Sequence, residues 1–180
     1  IIFGFIWGIG GVLFGLSIKY VGVSLTYGIV MGTTGTIGAL VPLIQIPDFF
    51  SQNNFPFIIA GILLMISGVV IVAFAGIKRE NLLSASGASI EGISKGKDFR
   101  KGLFIVIIGG IFSAFINIGF TNAAAIGENA VSFGSAPIHS SIIVWVVVLW
   151  GAIFLNVMYV SMLFIKNKSF SGFSFKNIGK

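Results

Sequence analysis

The chain alternates long apolar runs with short polar stretches, and this pattern predicts five membrane-spanning helices. A helix crosses the hydrocarbon core of a bilayer with about 20 predominantly apolar residues. The predicted spans cover residues 1–18, 23–44, 56–77, 102–126 and 138–165. The sequence therefore predicts an all-α integral membrane protein, a polytopic transmembrane helix bundle in which residues 1–180 form a single transmembrane domain.

The first two predicted spans each carry a stripe of small residues. The stripes are Gly4, Gly8, Gly11 and Gly15 in the first span, and Gly28, Gly32, Gly35 and Ala39 in the second. Residues that recur every three or four positions share one helix face. Because small residues let two backbones approach closely in lipid, we expect these spans to pack on each other as a hairpin around the turn at 19–22.

Composition and charge agree with a membrane location. With 56% hydrophobic and only 9% charged residues, the chain cannot cover a water-facing surface. All 11 lysine and arginine residues lie near residue 19, in the polar stretch 78–101, or after residue 165. These are alternate connections on one side of the membrane, which the positive-inside rule assigns to the cytoplasm. The net charge of +6 thus reflects topology, so no nucleic-acid partner is expected.

The predicted spans contain neutral polar residues but no charged residue near mid-membrane. The candidates for solute contact are Thr33 and Thr36 in the second span, and Ser113, Asn117 and Thr121 in the fourth. The last three recur every four residues and therefore share one face. If the two polar stripes meet at mid-depth, they form a site for a neutral, hydroxyl-rich solute. The alternative is that the hydroxyls bond to their own helices and Asn117 joins neighbouring helices.

Aromatic rings provide a second kind of candidate contact. Trp7 and Tyr27 are candidates for stacking on a sugar ring, whereas Trp145 and Trp150 are expected to face lipid or neighbouring helices. Glu128, in the predicted loop 127–137, is a candidate proton-coupling group because a carboxylate at the mouth of a transport path can carry a proton. The alternative is an exposed loop acid.

Enzymatic activity is not expected. The predicted spans offer neither a nucleophile paired with a base nor a cluster of metal-ligating residues, and the chain has no cysteine. We therefore expect no catalytic residues, metal or cofactor. Since Ile1 already lies within an apolar run, we expect the chain to be a piece of a longer membrane protein.

Several segments resemble one transporter family. They are WGIG at 7–10, FGLSIKYVGVS at 14–24, GALVP at 38–42, AGIKRE at 75–80, KGL at 101–103 and GIFSA at 110–114. In order and in loop length they are similar to helices three to six of L-rhamnose-proton symporters, within the drug/metabolite transporter superfamily. The likeness covers nearly the whole chain.

This resemblance implies a ten-helix transporter of two inverted five-helix repeats, of which the chain would hold about helices three to seven. It also implies import of a neutral deoxy sugar, L-rhamnose, with a proton by alternating access in the bacterial inner membrane. Glu128 resembles an acid that follows the sixth helix of this family. Two alternatives stay open: a drug or metabolite exporter of the same superfamily, and a non-transporting membrane scaffold subunit. The sequence predicts no oligomeric state.

Overall fold

A computed structural model describes residues 1–86 and 97–169, and these residues are almost entirely helical. The helices are α1 Ile2–Val21, α2 Val23–Ile44, α3 Phe55–Ala85, α4 Lys97–Asn122, α5 Ala124–Ser132 and α6 Ser140–Asn167. Five stretches of helix are long and apolar enough to cross a membrane, with α4 and α5 counted as one. The predicted all-α membrane bundle is therefore confirmed.

Helix α4 is the centre of the bundle. It packs between α1 and α2, while α6 packs on the far side of α1 and α3 packs on the far side of α2. The helices thus follow the order α3, α2, α4, α1, α6 across the bundle. A core of buried side chains, including Val21, Ile29 and Val106, fills the space where α1, α2 and α4 meet.

The predicted hairpin packing of α1 on α2 is wrong. Positions 4 and 8 of α1 instead face α6, where a side chain at Gly4 would meet the Val148 carbonyl and one at Gly8 would lie 3.4 Å from Leu155 Cβ. The α2 stripe faces α3, and a Cβ on Gly28 would lie 2.9 Å from Val72 Cγ1. Two smooth stripes facing each other would exchange few side-chain contacts. The α2 stripe instead accepts branched side chains of α3, and the α1 stripe lies against the backbone and Leu155 of α6; both arrangements increase van der Waals packing.

A single residue, Gly22, joins α1 to α2. Its φ of 85° lies in the left-handed region, which glycine adopts without steric cost. Its N–H donates to the Ile18 carbonyl at 3.0 Å, and its own carbonyl accepts from the Thr26 N–H at 3.2 Å. Gly22 therefore ends one helix and begins the next with hydrogen bonds on both sides.

The basic ends of the helices lie together. Arg79 Nη2 at the end of α3 donates to the Val21 carbonyl of α1 at 3.4 Å. Near the start of α4, a Cβ on Gly102 would lie 3.1 Å from Tyr20 Cγ. Since α6 runs parallel to α1, Lys166 lies at the same end. This end is where the charge pattern predicts the cytoplasm, and the orientation itself stays a prediction.

Two connections differ from the sequence prediction. The predicted cytoplasmic loop 78–101 is helical at both ends, because α3 continues to Ala85 and α4 begins at Lys97; residues 87–96 lie outside the described part. The predicted loop 127–137 is wrong as far as residue 132, where α5 ends. Alanine favours helix in this segment, and Gly127 lets α5 approach α6 closely.

Candidate functional site

An open cavity of about 510 Å³ lies between α2, α4 and α6. It is lined by Gly35, Gly38, Ala39, Pro42, Leu43, Asn117, Phe120, Thr121 and Trp145. This size falls within the range of about 300–1,000 Å³ that is typical of small-molecule sites. The lining comes from the half of each helix farthest from the basic ends. The cavity is thus displaced from the predicted mid-depth position toward the opposite side of the membrane.

Asn117 provides the amide of this cavity. Its side chain crosses the bare backbone of Gly38, where an added Cβ would contact Asn117 Nδ2 and would lie 3.0 Å from Asn117 Cγ. Within residues 1–86 and 97–169, this amide makes no hydrogen bond. Thr121 Oγ1 donates to the Asn117 backbone carbonyl at 3.1 Å and also lines the cavity. The amide and this hydroxyl oxygen can therefore bind a polar solute.

The aromatic wall of the cavity is formed by Phe120 and Trp145. Their ring centroids lie 4.8 Å apart with an interplanar angle of 39°. Trp145 is still 38% exposed, so part of its ring is free to contact a bound molecule. Sequence reasoning missed this residue as a site candidate. The N-terminal half of α6 is apolar on every face, so no sequence pattern identifies the face that lines the cavity.

Thr33 and Thr36 lie apart from this cavity. They line a smaller space of about 160 Å³ whose other walls include Ile66 and Val69 of α3. Thr36 Oγ1 donates to the Gly32 carbonyl of its own helix at 2.8 Å. The structure therefore does not bring these two threonines together with Asn117 around one cavity.

Ser113 is buried where α4 crosses α1. A Cβ on Gly10 would lie 2.7 Å from Ser113 Oγ, so the two helices approach closely at this point. Threonines of α2 meet α4 at Gly110 instead: a Cβ on Gly110 would lie 2.8 Å from Thr33 Cβ, and Thr34 Oγ1 donates to the Gly110 carbonyl at 3.2 Å. The polar residues of α2 and α4 thus meet mainly as helix contacts. Asn117 and Thr121 are the sequence-predicted residues that line the large cavity.

The two aromatic residues named from the sequence also lie away from the cavity. Tyr27 is 49% exposed, and its ring meets Phe14 edge to face at a centroid distance of 4.8 Å. Trp7 is half-buried on α1. Neither is among the cavity-lining residues, and their stacking on a sugar stays a prediction.

Glu128 lines a second cavity of about 180 Å³ between α5 and the start of α6. Ser140 and Ser141 provide hydroxyl groups in this cavity, and Phe120 forms part of its wall. Among the described residues no cluster of acidic, histidine or cysteine side chains could hold a metal ion. Glu128 is therefore a single carboxylate in a partly polar space.

Comparison with known proteins decides the family. Residues 1–177 match the sequence profile described as L-rhamnose-proton symport protein (RhaT). The chain belongs to this family. The L-rhamnose-proton symport family consists of transport proteins, and the chain is a multi-pass protein of the bacterial inner membrane.

Curated relatives carry the same description. Proteins named L-rhamnose-proton symporter are 28% identical in Mannheimia succiniciproducens, 31% in Pectobacterium atrosepticum and 29% in Escherichia coli. Each alignment covers 82% of this chain and 42% of the relative. The chain therefore spans about two fifths of the length of these family members. No solved structure gives a significant match.

The position of Trp145 gives a first testable prediction within this family. In the full-length parent protein, Trp145→Leu is expected to raise the half-saturating concentration of L-rhamnose, the solute in the names of the relatives, by up to about tenfold, because one aromatic contact is worth about 0.5–1.5 kcal/mol. Trp150→Leu is the matched control, since Trp150 lies on the same helix, is 61% exposed and does not line the cavity. Equal effects of the two substitutions on labelled-rhamnose uptake would contradict the assignment.

Proposed function

We propose that the parent protein of this chain imports L-rhamnose, or a closely similar neutral deoxy sugar, together with a proton by alternating access. The cavity between α2, α4 and α6 is proposed as part of its sugar site. The observation that carries this proposal is the amide of Asn117, which makes no hydrogen bond within the described residues and lines the same open cavity as the ring of Trp145. The relatives named L-rhamnose-proton symporter support the choice of solute.

The residues that line the cavity can contact both the apolar and the hydroxyl groups of such a sugar. A sugar ring presents C–H groups that can stack on an aromatic plane, here Trp145, and hydroxyl groups that exchange hydrogen bonds with Asn117 and Thr121. A 6-deoxy sugar such as L-rhamnose also carries a methyl group in place of a hydroxymethyl group. Pro42 and Leu43 provide an apolar surface for that methyl group at the same cavity. A site with few polar groups and an aromatic wall is a common arrangement for small-molecule recognition.

The rest of the parent protein is proposed to complete the site. The curated relatives are more than twice as long as the region aligned with this chain, and the cavity is open on one side. We place the missing wall in the part of the parent outside residues 1–180. Five further candidates for sugar contact lie outside the cavity that this chain encloses: Trp7, Tyr27, Thr33, Thr36 and Ser113. Contact of these side chains with the sugar depends on the missing wall.

Glu128 is proposed as the proton-coupling group of this part of the protein. Its cavity adjoins the sugar cavity, since Phe120 lines both. It also lies on the half of the bundle opposite the basic ends, from which a proton would enter during import. Protonation and deprotonation of one carboxylate between the two sides of the membrane would couple sugar movement to the proton gradient.

Uptake by the full-length parent tests the proposal. The gene is expressed in cells without their own rhamnose transporter, and labelled-sugar uptake is recorded together with external pH. A symporter that moves one proton per sugar accumulates the sugar about 50-fold for each 100 mV of driving force, because that force is worth about 2.3 kcal/mol per charge. Uptake with alkalinisation is expected. No uptake by protein that is present in the membrane would contradict the proposal and favour an exporter or a scaffold subunit.

Glu128→Gln in the parent protein gives a sharper prediction. The variant keeps the shape of the side chain but cannot exchange a proton, so accumulation is expected to fall from about 50-fold to about one, the value for simple equilibration. Asp48→Asn is the matched control because Asp48 lies outside the helices, in the connection between α2 and α3, and lines neither cavity. Full accumulation by the Glu128 variant would exclude this carboxylate from coupling.

A further inference from the structure

Phe120 is the shared wall of two chemically different cavities. On one side lies the cavity with Asn117, Thr121 and Trp145, and on the other side lies the cavity with Glu128. Phe120 is half-buried near the end of α4 and is the residue that the linings of the two cavities have in common. A single aromatic ring thus touches both the proposed sugar site and the space that holds the carboxylate.

Two adjacent residues of α6 also line different cavities. Val144 of α6 lines the Glu128 cavity, and the next residue, Trp145, lines the sugar cavity and contacts Phe120 with the two rings tilted by 39°. Movement of the Trp145 ring by a bound solute would therefore change the position of Phe120, since their ring centroids are only 4.8 Å apart.

Among the described residues, Phe120 is the one that lines both the Glu128 cavity and the proposed sugar cavity. Helix α5 is held close to α6, because a Cβ on Gly127 would lie 2.8 Å from the Ser140 carbonyl oxygen. Among the described residues, Glu128 is the only titratable group that lines its cavity; His139 directly precedes Ser140 but is not part of the lining. Glu128 is exposed at its cavity, and Phe120 is the residue that this cavity shares with the proposed sugar cavity.

We infer that Phe120 is a positioning residue that couples sugar occupancy to the protonation of Glu128. A sugar stacked on Trp145 holds Phe120 in place and closes the space around Glu128, so that the carboxylate keeps the proton it has taken from the outer side. Release of the sugar inside frees the ring, and the proton leaves to water. The inference rests on the proposed symport and adds the residue through which the two solutes affect each other.

Two assays on the full-length parent separate coupling from sugar binding. Accumulation of labelled L-rhamnose, with protons counted per sugar, needs both sites and their linkage. Counterflow, in which labelled sugar exchanges for unlabelled sugar without a gradient, needs the sugar site alone. Phe120→Leu is expected to lower accumulation from about 50-fold to about one, with fewer protons per sugar. Because Phe120 also lines the sugar cavity, counterflow is expected to weaken by at most about tenfold and to recover at higher sugar concentration. Phe120→Tyr, which keeps the ring, is expected to restore coupling.

Phe112→Leu is the matched control, because Phe112 lies on the same helix and its ring meets Phe115 without lining either cavity. Unchanged accumulation and proton count in Phe120→Leu would overturn the inference, and so would equal loss of accumulation and counterflow. If that variant does not reach the membrane, Phe120→Met carries the same test. Failure of the unmodified parent to move rhamnose would instead overturn the proposed function, and the inference with it.

Discussion

Replacing Gly4 by alanine is expected to destabilise the bundle by about 3 kcal/mol or more, the upper end of what overpacking costs. At this position α1 crosses α6 with its backbone against the Val148 carbonyl, and an added Cβ would overlap that oxygen. The opposing atoms belong to the backbone of α6, so no side-chain rotation can relieve the overlap. The helices must separate, and the packing of α6 on α1 is lost with them.

The same stripe supplies the control for this prediction. Gly15 lies on the same helix, and an added Cβ there would meet nothing within 4 Å. Gly15→Ala is therefore expected to leave stability unchanged or slightly raised, since alanine favours helix. The measurement is the temperature at which the purified parent protein loses its monodisperse elution in detergent. Equal melting of the two variants would show that the α1–α6 crossing does not limit stability.

Replacing Asn117 by leucine is expected to reduce rhamnose uptake by the parent protein between about fivefold and about 150-fold, while insertion into the membrane is retained. Leucine has nearly the same size but cannot exchange hydrogen bonds with a sugar hydroxyl. Loss of a hydrogen-bonding group from a site costs about 1–3 kcal/mol, and each 1.4 kcal/mol is a factor of ten. Initial rates of labelled-rhamnose uptake, normalised to protein in the membrane, measure the effect.

Asn156→Leu is the control for the amide chemistry. Asn156 also lies within a membrane helix, but its Nδ2 donates to the Ala152 carbonyl of its own helix at 2.8 Å, and it does not line the cavity. Uptake by this variant is expected to stay within about twofold of the parent, because an internally paired amide contributes little. Normal uptake by Asn117→Leu would remove Asn117 from the proposed sugar site.

The sequence predicts the helices well but not their neighbours. Hydrophobic length and the positions of lysine and arginine are local properties, and the described structure agrees with the number of spans and with the shared basic end. A glycine stripe, in contrast, indicates only that another helix packs closely against that face, and it does not indicate which helix. Gly4 meets α6 and Gly28 meets α3, although the two stripes lie on helices that are adjacent in sequence.

The residues of the candidate site are likewise only partly predictable from the sequence. The four-residue spacing from Asn117 to Thr121 places both on one face, and both line the large cavity. Ser113 shares the spacing but meets Gly10 of α1, because α4 changes partners along its length. Trp145 gives no signal in the sequence, because its neighbours at 142–150 are all apolar. Its role depends on Phe120 of α4, a contact between distant parts of the chain.

The one-residue connection at Gly22 restricts how the gene can change in length. Helices α1 and α2 both pack most extensively on α4, and in addition α1 packs on α6 and α2 packs on α3. One inserted residue would rotate the following helix by about 100° relative to α1. Thr34 would then lose the Gly110 carbonyl, and Gly28 would turn away from α3. Insertions and deletions in homologous genes should therefore be absent at this junction, even where point substitutions are frequent.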